Sequence, residues 1–243
     1  TVMIPGDEPT IAHNEDGDPG LRGHCALARV QPAGGNAFVA FVYPGSIPGH
    51  TFAVTQSGLV QAVNNIRSRE AAIGLPRMLV GRAVLDCRTL DEAICLIETS
   101  PRAGAFHFTL AKRGDGRILS VEFTHRRVSA TVVEHPTCHA NHLVHAAMEG
   151  ERQLVTDSSE ARQKRGDELV RAGRKAQTDP LSILRDRGFS ALPIHRDQPD
   201  DQDGENTLAT GLFRIRPERV TWEVYGGASS RAAYRLADAS LQR

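Results

Sequence analysis

The apolar positions of the chain recur with a period of two in some stretches and near 3.6 in others, and the changes of period divide it into elements. Val2-Met3-Ile4 is followed by the turn cluster Pro5-Gly6-Asp7-Glu8-Pro9 and by Thr10-Ile11-Ala12-His13, which predicts an opening hairpin. That hairpin carries the polar end Asn14-Glu15-Asp16 back toward Thr1. Residues 38–43 form an unbroken apolar run suited to a strand buried on both faces. Turns at 44–49 and at Gln56-Ser57-Gly58 bound two further predicted strands, over 51–55 and 59–64.

The period then lengthens. Residues 77–86 and 90–98 read as helices, the first with Val80, Val84 and Cys87 on one face, the second with Ala93, Ile94 and Ile97. Thr89-Leu90-Asp91-Glu92 has the spacing of a capping box. Alternation returns over 105–111, 118–123 and 127–134, with Arg113-Gly114-Asp115-Gly116 as a hairpin turn. A polar, histidine-rich segment follows at 135–145. Residues 158–172 predict a charged amphipathic helix with Ser158 or Ser159 as its N-cap, and 180–188 a short helix. Residues 195–206 read as an acidic surface loop without the ligand spacing of a calcium loop. Strands over 207–214 and 220–225 close the pattern, and 229–243 reads as a polar tail. Antiparallel strands interleaved with helices predict an α+β layered domain over residues 1–243.

Composition narrows the function classes. The 243 residues carry 29 basic and 29 acidic side chains, so no overall field draws the chain to nucleic acid or to an anionic membrane. No apolar run approaches the roughly 20 residues that span a bilayer. Cys25, Cys87, Cys95 and Cys138 form no paired framework and read as buried free thiols, which favours a reducing, cytoplasmic compartment. His139 and His142 lack an evident third ligand, so no metal is expected, and no organic cofactor is implied.

The candidate chemistry lies at the first residue. The sequence opens on threonine instead of methionine, and the expectation is that Thr1 was exposed by cutting a longer precursor. An N-terminal threonine carries a hydroxyl nucleophile and, at an unperturbed pKa of about 7.7–8.0, an amine able to take its proton. A trimmed chain belonging to a non-catalytic α+β binding domain is the rival reading.

Several pieces in order resemble a known group: Ile11-Ala12-His13-Asn14-Glu15-Asp16, Ser57-Gly58-Leu59 leading to Val63-Asn64-Asn65, Thr89-Leu90-Asp91-Glu92-Ala93, and Ser120-Val121-Glu122. His139-Ala140-Asn141-His142, Ser158-Ser159-Glu160-Ala161-Arg162 and Thr207-Leu208-Ala209 follow. Together they resemble the N-terminal-nucleophile hydrolases, and within them the acyl-coenzyme A:6-aminopenicillanate acyltransferase family. The resemblance implies a four-layer αββα sandwich of two antiparallel sheets covered by helices. It implies a precursor that cleaves itself before the nucleophile, this chain being the large subunit and its partner a small one.

By the same resemblance Asp16 matches the acidic residue near the nucleophile and Asn141 the oxyanion-hole asparagine, while a distal arginine is left without a position. Asn64 and His13 are further candidates for substrate binding or the oxyanion hole. Ser158 and Arg162 read as a cap and a structural pair. The family usually has cysteine as nucleophile, so Thr1 is expected either to replace it or to follow a cysteine removed upstream. The implied reaction is cleavage of a small or medium amide through an acyl-enzyme on Thr1, with transfer of the acyl group to an amine as the alternative.

Overall fold

Period-two patterning has a direct structural consequence here: side chains of successive residues leave each strand on opposite faces, and both faces are covered. The computed structural model describes residues 1–173, 179–188, 191–197, 204–227 and 229–241. Along the chain the strands are β1 (Val2–Ile4), β2 (Thr10–Gly17), β3 (Ala26–Val30), β4 (Phe38–Val42), β5 (Ala53–Thr55), β6 (Leu59–Asn65) and β7 (Phe106–Lys112). They continue with β8 (Ile118–Phe123), β9 (Val128–Val132), β10 (Thr137–Cys138), β11 (Asn206–Ile215), β12 (Val220–Gly226), β13 (Tyr234–Ala237) and β14 (Ser240–Leu241). The helices are α1 (Arg77–Val84), α2 (Leu90–Thr99), α3 (Asp157–Gly173) and α4 (Pro180–Leu184).

The strands make two antiparallel sheets, one in the order β10-β1-β2-β11-β12-β13-β14 and the other β3-β4-β5-β6-β7-β8-β9. Met3, Ile11, Phe213 and Trp222 from the first meet Phe41, Phe52, Val54 and Val60 from the second in a buried inter-sheet core. The outer face of the second sheet, with Leu59, Val63, Phe106 and Phe108, is covered by Val80 and Val84 of α1 and Leu90, Ala93 and Ile97 of α2. Val2, Ala12 and Leu212 of the first sheet pack against Val170 of α3 and Ile183 and Leu184 of α4. The layers are therefore helix, sheet, sheet, helix, the αββα sandwich of the N-terminal-nucleophile hydrolases.

Local chemistry explains most boundaries. Gly58 takes a φ of 84° in the turn between β5 and β6, a backbone region that glycine enters without penalty. Thr89 caps α2 by accepting from Glu92 N at 3.0 Å, while the Glu92 carboxylate accepts from Arg88 N, one residue before the cap, at 2.6 Å. At α3 the structure corrects the expected cap. Thr156 Oγ1 accepts from Ser159 N, and Ser158 and Ser159 are buried inside the first turn.

Other expectations also change. β3, half-exposed at a sheet edge, mixes small, charged and apolar residues and has no clear sequence signal. The expected polar tail instead forms β13, paired with β12, and β14, paired with β13. Of the acidic segment 195–206, residues 198–203 lie outside the described residues, and part of the described flank is buried instead of at the surface: His195, Arg196 and Asn206 are each 2% exposed. Cys87 and Cys138 are buried free thiols, but Cys25 is half-buried and Cys95 exposed on α2. Among the described residues no helix is long and apolar enough to cross a membrane.

Candidate active site

The register of the first hairpin sets Val2 opposite Ala12 and Met3 opposite Ile11, so Thr1 lies across from His13. Because Ile11 belongs to the inter-sheet core and Ala12 to the helix side, alternation turns His13 and Glu15 inward. On the facing sheet the same rule turns Asn64 inward between Val63 and Asn65. At this end of the sandwich polar groups replace the apolar core, and Thr1, His13, Asp16, Asn64 and Asn141 all line one cleft.

Thr1 is held at both ends of its main chain. Its amine donates to His139 O at 2.9 Å, and its carbonyl accepts from His139 N at 2.9 Å. The hydroxyl lies 2.6 Å from Asn64 Oδ1 and 2.7 Å from His13 Nδ1. Burial lowers the amine pKa from 8.0 to about 6, helped by the Arg162 charge and opposed by Cys138 and Asp16. Above that pH the amine is mostly neutral and can accept a proton.

Asp16 reaches Thr1 through its charge, not through a hydrogen bond. Its Oδ1 accepts from Thr207 Oγ1 at 2.7 Å, and Arg196 Nη1 lies 3.4 Å from Oδ2. Asn141 is fixed by three contacts. Its N donates to Ser159 Oγ at 2.9 Å, its Oδ1 accepts from Arg162 Nη1 at 3.0 Å, and its Nδ2 donates to Asn65 O at 3.1 Å. The Arg162 contact sets the amide orientation, since a guanidinium can only donate. Arg162 also donates to Ser158 Oγ at 3.1 Å, so this pair supports a site residue as well as the helix.

A row of buried polar residues crosses the second sheet, where the register aligns Asn64, His107, Glu122 and Ser129 on adjacent strands. His107 bonds Asn64 Oδ1 at 3.0 Å and Ser120 Oγ at 2.9 Å. Burial, then the neighbouring His139, hold its pKa well below the usual histidine value. Glu122, 0% exposed, accepts from His139 Nε2 at 2.7 Å and from Val144 N and His145 N. Burial alone raises its pKa, but the His139 bond and charge leave it net lowered. No three histidine, cysteine or acidic side chains among the described residues come together as a metal site.

Sequence reasoning passed over Glu15, Arg196 and His107. Glu15 is hidden in an acidic run and Arg196 in a loop-like segment. His107 and Glu15 were findable from alternation alone, as inward positions beside Asn64 and His13.

Two antiparallel sheets face to face, covered by helices, define the fold class as that of the N-terminal-nucleophile hydrolases. Residues 3–228 match the acyl-coenzyme A:6-aminopenicillanic acid acyl-transferase family, and the chain belongs to that family. Its structure resembles a mutant conjugated bile acid hydrolase from Clostridium perfringens, with TM-score 0.62 and 12% identity over 97% of this chain and 91% of that one. The N-acylethanolamine-hydrolyzing acid amidase ortholog of Caenorhabditis elegans gives TM-score 0.49 and 14% identity, over 87% and 90% of the two chains. No curated protein matches in sequence.

Proposed function

We propose that the chain is the large subunit of a self-processed amidase that cleaves a small or medium amide through an acyl ester on Thr1. The observation that carries this reading is the position of Thr1. Its hydroxyl lies in the cleft between two polar partners, and its own amine is neutral above a pH of about 6.

The chemistry runs as acyl transfer. Thr1 Oγ attacks the substrate carbonyl carbon as its proton leaves, and the carbonyl π pair becomes an oxyanion. The amine accepts the hydroxyl proton directly or through one water and returns it to the leaving nitrogen. Asn141 Nδ2 carries two hydrogens and spends one on Asn65 O, so the other is the candidate oxyanion donor. A main-chain N–H near Asn64 is a second candidate donor, because β5 pairs with β6 only at Val60 and Gln61 and leaves that stretch of β6 one neighbouring strand. Loss of one such donor typically costs about 2.7–4 kcal/mol of transition-state stabilisation. Asp16 contributes by keeping negative charge near the amine.

Transfer of the acyl group to an amine in place of water is the second reading, supported by the family to which the chain belongs. Product analysis with and without an added amine separates the two. The nucleophile is tested by Thr1→Ala in a chain already cut before residue 1: loss of amidase activity supports Thr1, and full activity overturns it. Mass spectrometry of the full-length product tests self-processing, which requires a spontaneous cut before Thr1 and a retained small subunit.

A further inference from the structure

His13 and Glu15 are two residues apart on β2, so both point into the space between the sheets beside Thr1. His13 Nδ1 is 2.7 Å from Thr1 Oγ1, His13 Nε2 is 3.2 Å from Glu15 Oε2, and Glu15 Oε1 accepts from Tyr43 OH at 3.2 Å. Hydroxyl, imidazole and carboxyl are thus joined in series. His13 is 1% and Glu15 7% exposed, and the imidazole is braced edge-on by Phe52 with ring centroids 6.0 Å apart. Building on the reading of Thr1 as the nucleophile, we propose that His13 is a second catalytic proton acceptor for the Thr1 hydroxyl and that Glu15 is the positioning residue that sets its tautomer.

The hydroxyl has one hydrogen and two neighbours able to receive it. When His13 Nδ1 carries hydrogen, it donates to Oγ1 and the hydroxyl donates to Asn64 Oδ1. When Nδ1 is bare, the hydroxyl turns to it and is poised for deprotonation. The choice is made at the far nitrogen. An ionised Glu15 only accepts, so it keeps hydrogen on Nε2 and leaves Nδ1 bare. A protonated Glu15 donates to Nε2 and moves hydrogen to Nδ1. Burial raises the Glu15 pKa well above the usual range, Asp16 and Glu205 add to this, and the Tyr43 bond opposes it. Arg196 stands beside both Asp16 and Glu205, Cys25 lies near Glu15, and the Thr1 amine faces His13.

In the reacting form Oγ bonds to the carbonyl carbon as its proton passes to Nδ1, and the imidazolium that forms keeps its Nε2–H on the Glu15 carboxylate. Collapse of the oxyanion breaks the carbon–nitrogen bond, and Nδ1 returns the proton to the departing nitrogen. The arrangement is a hydroxyl–imidazole–carboxylate triad reached through Nδ1, set beside an N-terminal amine.

The test is pre-steady-state acylation by 4-nitrophenyl acetate, whose phenolate leaves without needing a proton, so the burst reports removal of the hydroxyl proton. His13→Asn and Glu15→Gln are each expected to slow the burst by roughly 10²–10⁴-fold with KM within about threefold. In Glu15→Gln the amide that replaces the carboxylate can donate to Nε2 and so traps hydrogen on Nδ1. The wild-type burst rises with pH as Glu15 ionises. That limb disappears in Glu15→Gln and moves to higher pH in Tyr43→Phe, which removes the bond favouring the carboxylate. If Thr1→Ala abolishes acylation while His13→Asn and Glu15→Gln keep the wild-type burst and pH profile, the His13 role is overturned and the Thr1 reading stands. If Thr1→Ala is acylated like wild type, or wild type is not acylated, both fall.

Discussion

Thr1 and His139 exchange two main-chain hydrogen bonds, each 2.9 Å long, which extends the β1–β10 ladder to the first residue of the chain. The amine therefore has a fixed address and stays desolvated, which is the main reason its pKa falls to about 6. Protonation below that pH removes the lone pair the amine needs as a base. Expected: kcat/KM falls as pH drops below about 6, tending toward tenfold per unit, and this limb survives in Glu15→Gln. A rate that stays flat from pH 7 to 5 counts against the amine.

Asn64 Oδ1 accepts from the Thr1 hydroxyl on one side and bonds His107 on the other, so one amide oxygen joins the nucleophile to the buried polar row. Asn64→Ala removes both contacts. Turnover is expected to fall by about 10²–10³-fold, with KM changed only a few-fold, because the lost bonds orient the nucleophile. A rise in KM at constant kcat assigns Asn64 to ground-state binding instead.

Glu122 holds the strand that holds Thr1. Its carboxylate accepts from His139 Nε2, whose ring stacks on His107 with centroids 3.5 Å apart, and from the main chain at Val144 and His145. Glu122→Leu is expected to cost about 3–5 kcal/mol, as removal of one partner of a buried pair does, read as a lower denaturation midpoint. The net lowered Glu122 pKa gives the sign with pH. Its contribution is present above the usual glutamate pKa and is lost as pH falls through the lowered one. The stability gap between wild type and Glu122→Leu should therefore narrow as pH falls through that range, because the variant has no such contribution to lose.

Thr207 ties Asp16 to the protein. Its buried hydroxyl donates to Asp16 Oδ1 at 2.7 Å and accepts from Arg196 N at 3.1 Å. Thr207→Val keeps the shape and removes both bonds. A loss of about 1–3 kcal/mol in urea unfolding is expected, with the m-value unchanged.

The layers were legible because strands covered on both faces become apolar runs, as residues 38–43 are, or mostly apolar ones, as residues 59–64 are. Edge strands escaped: β3 and β13 have one neighbour to bury against or sit near a sheet end, and their sequences stay mixed. At the site, Thr1 was marked by its chemistry and Asp16 and Asn141 by resemblance. Glu15 and Arg196 were hidden for a physical reason. Buried charges are few and depend on partners distant in sequence, so Arg196 beside Asp16 looks like one more polar residue in an acidic stretch until the fold closes.

Gly166 marks where α3 presses on β10. A Cβ at this position would stand 3.0 Å from Cys138 Cβ and 3.1 Å from its Sγ, so a larger side chain has to push the helix and strand apart. The strand cannot yield harmlessly, since Gln163 of α3 also binds Cys138 O and Ala140 N, and His139 between them carries both main-chain bonds to Thr1. Gly166→Leu is expected to destabilise by about 1–3 kcal/mol, the usual cost of overpacking. It should also lower turnover, because a displacement near 1 Å at a reacting group can cost about 10²-fold. Gly226→Ala is the matched control: nothing lies within 4 Å of the added carbon, and stability should stay within about 0.5 kcal/mol. Thermal unfolding and burst kinetics on both variants check the coupling. Unchanged turnover in a destabilised Gly166→Leu would show that Thr1 keeps its place without the α3 contact.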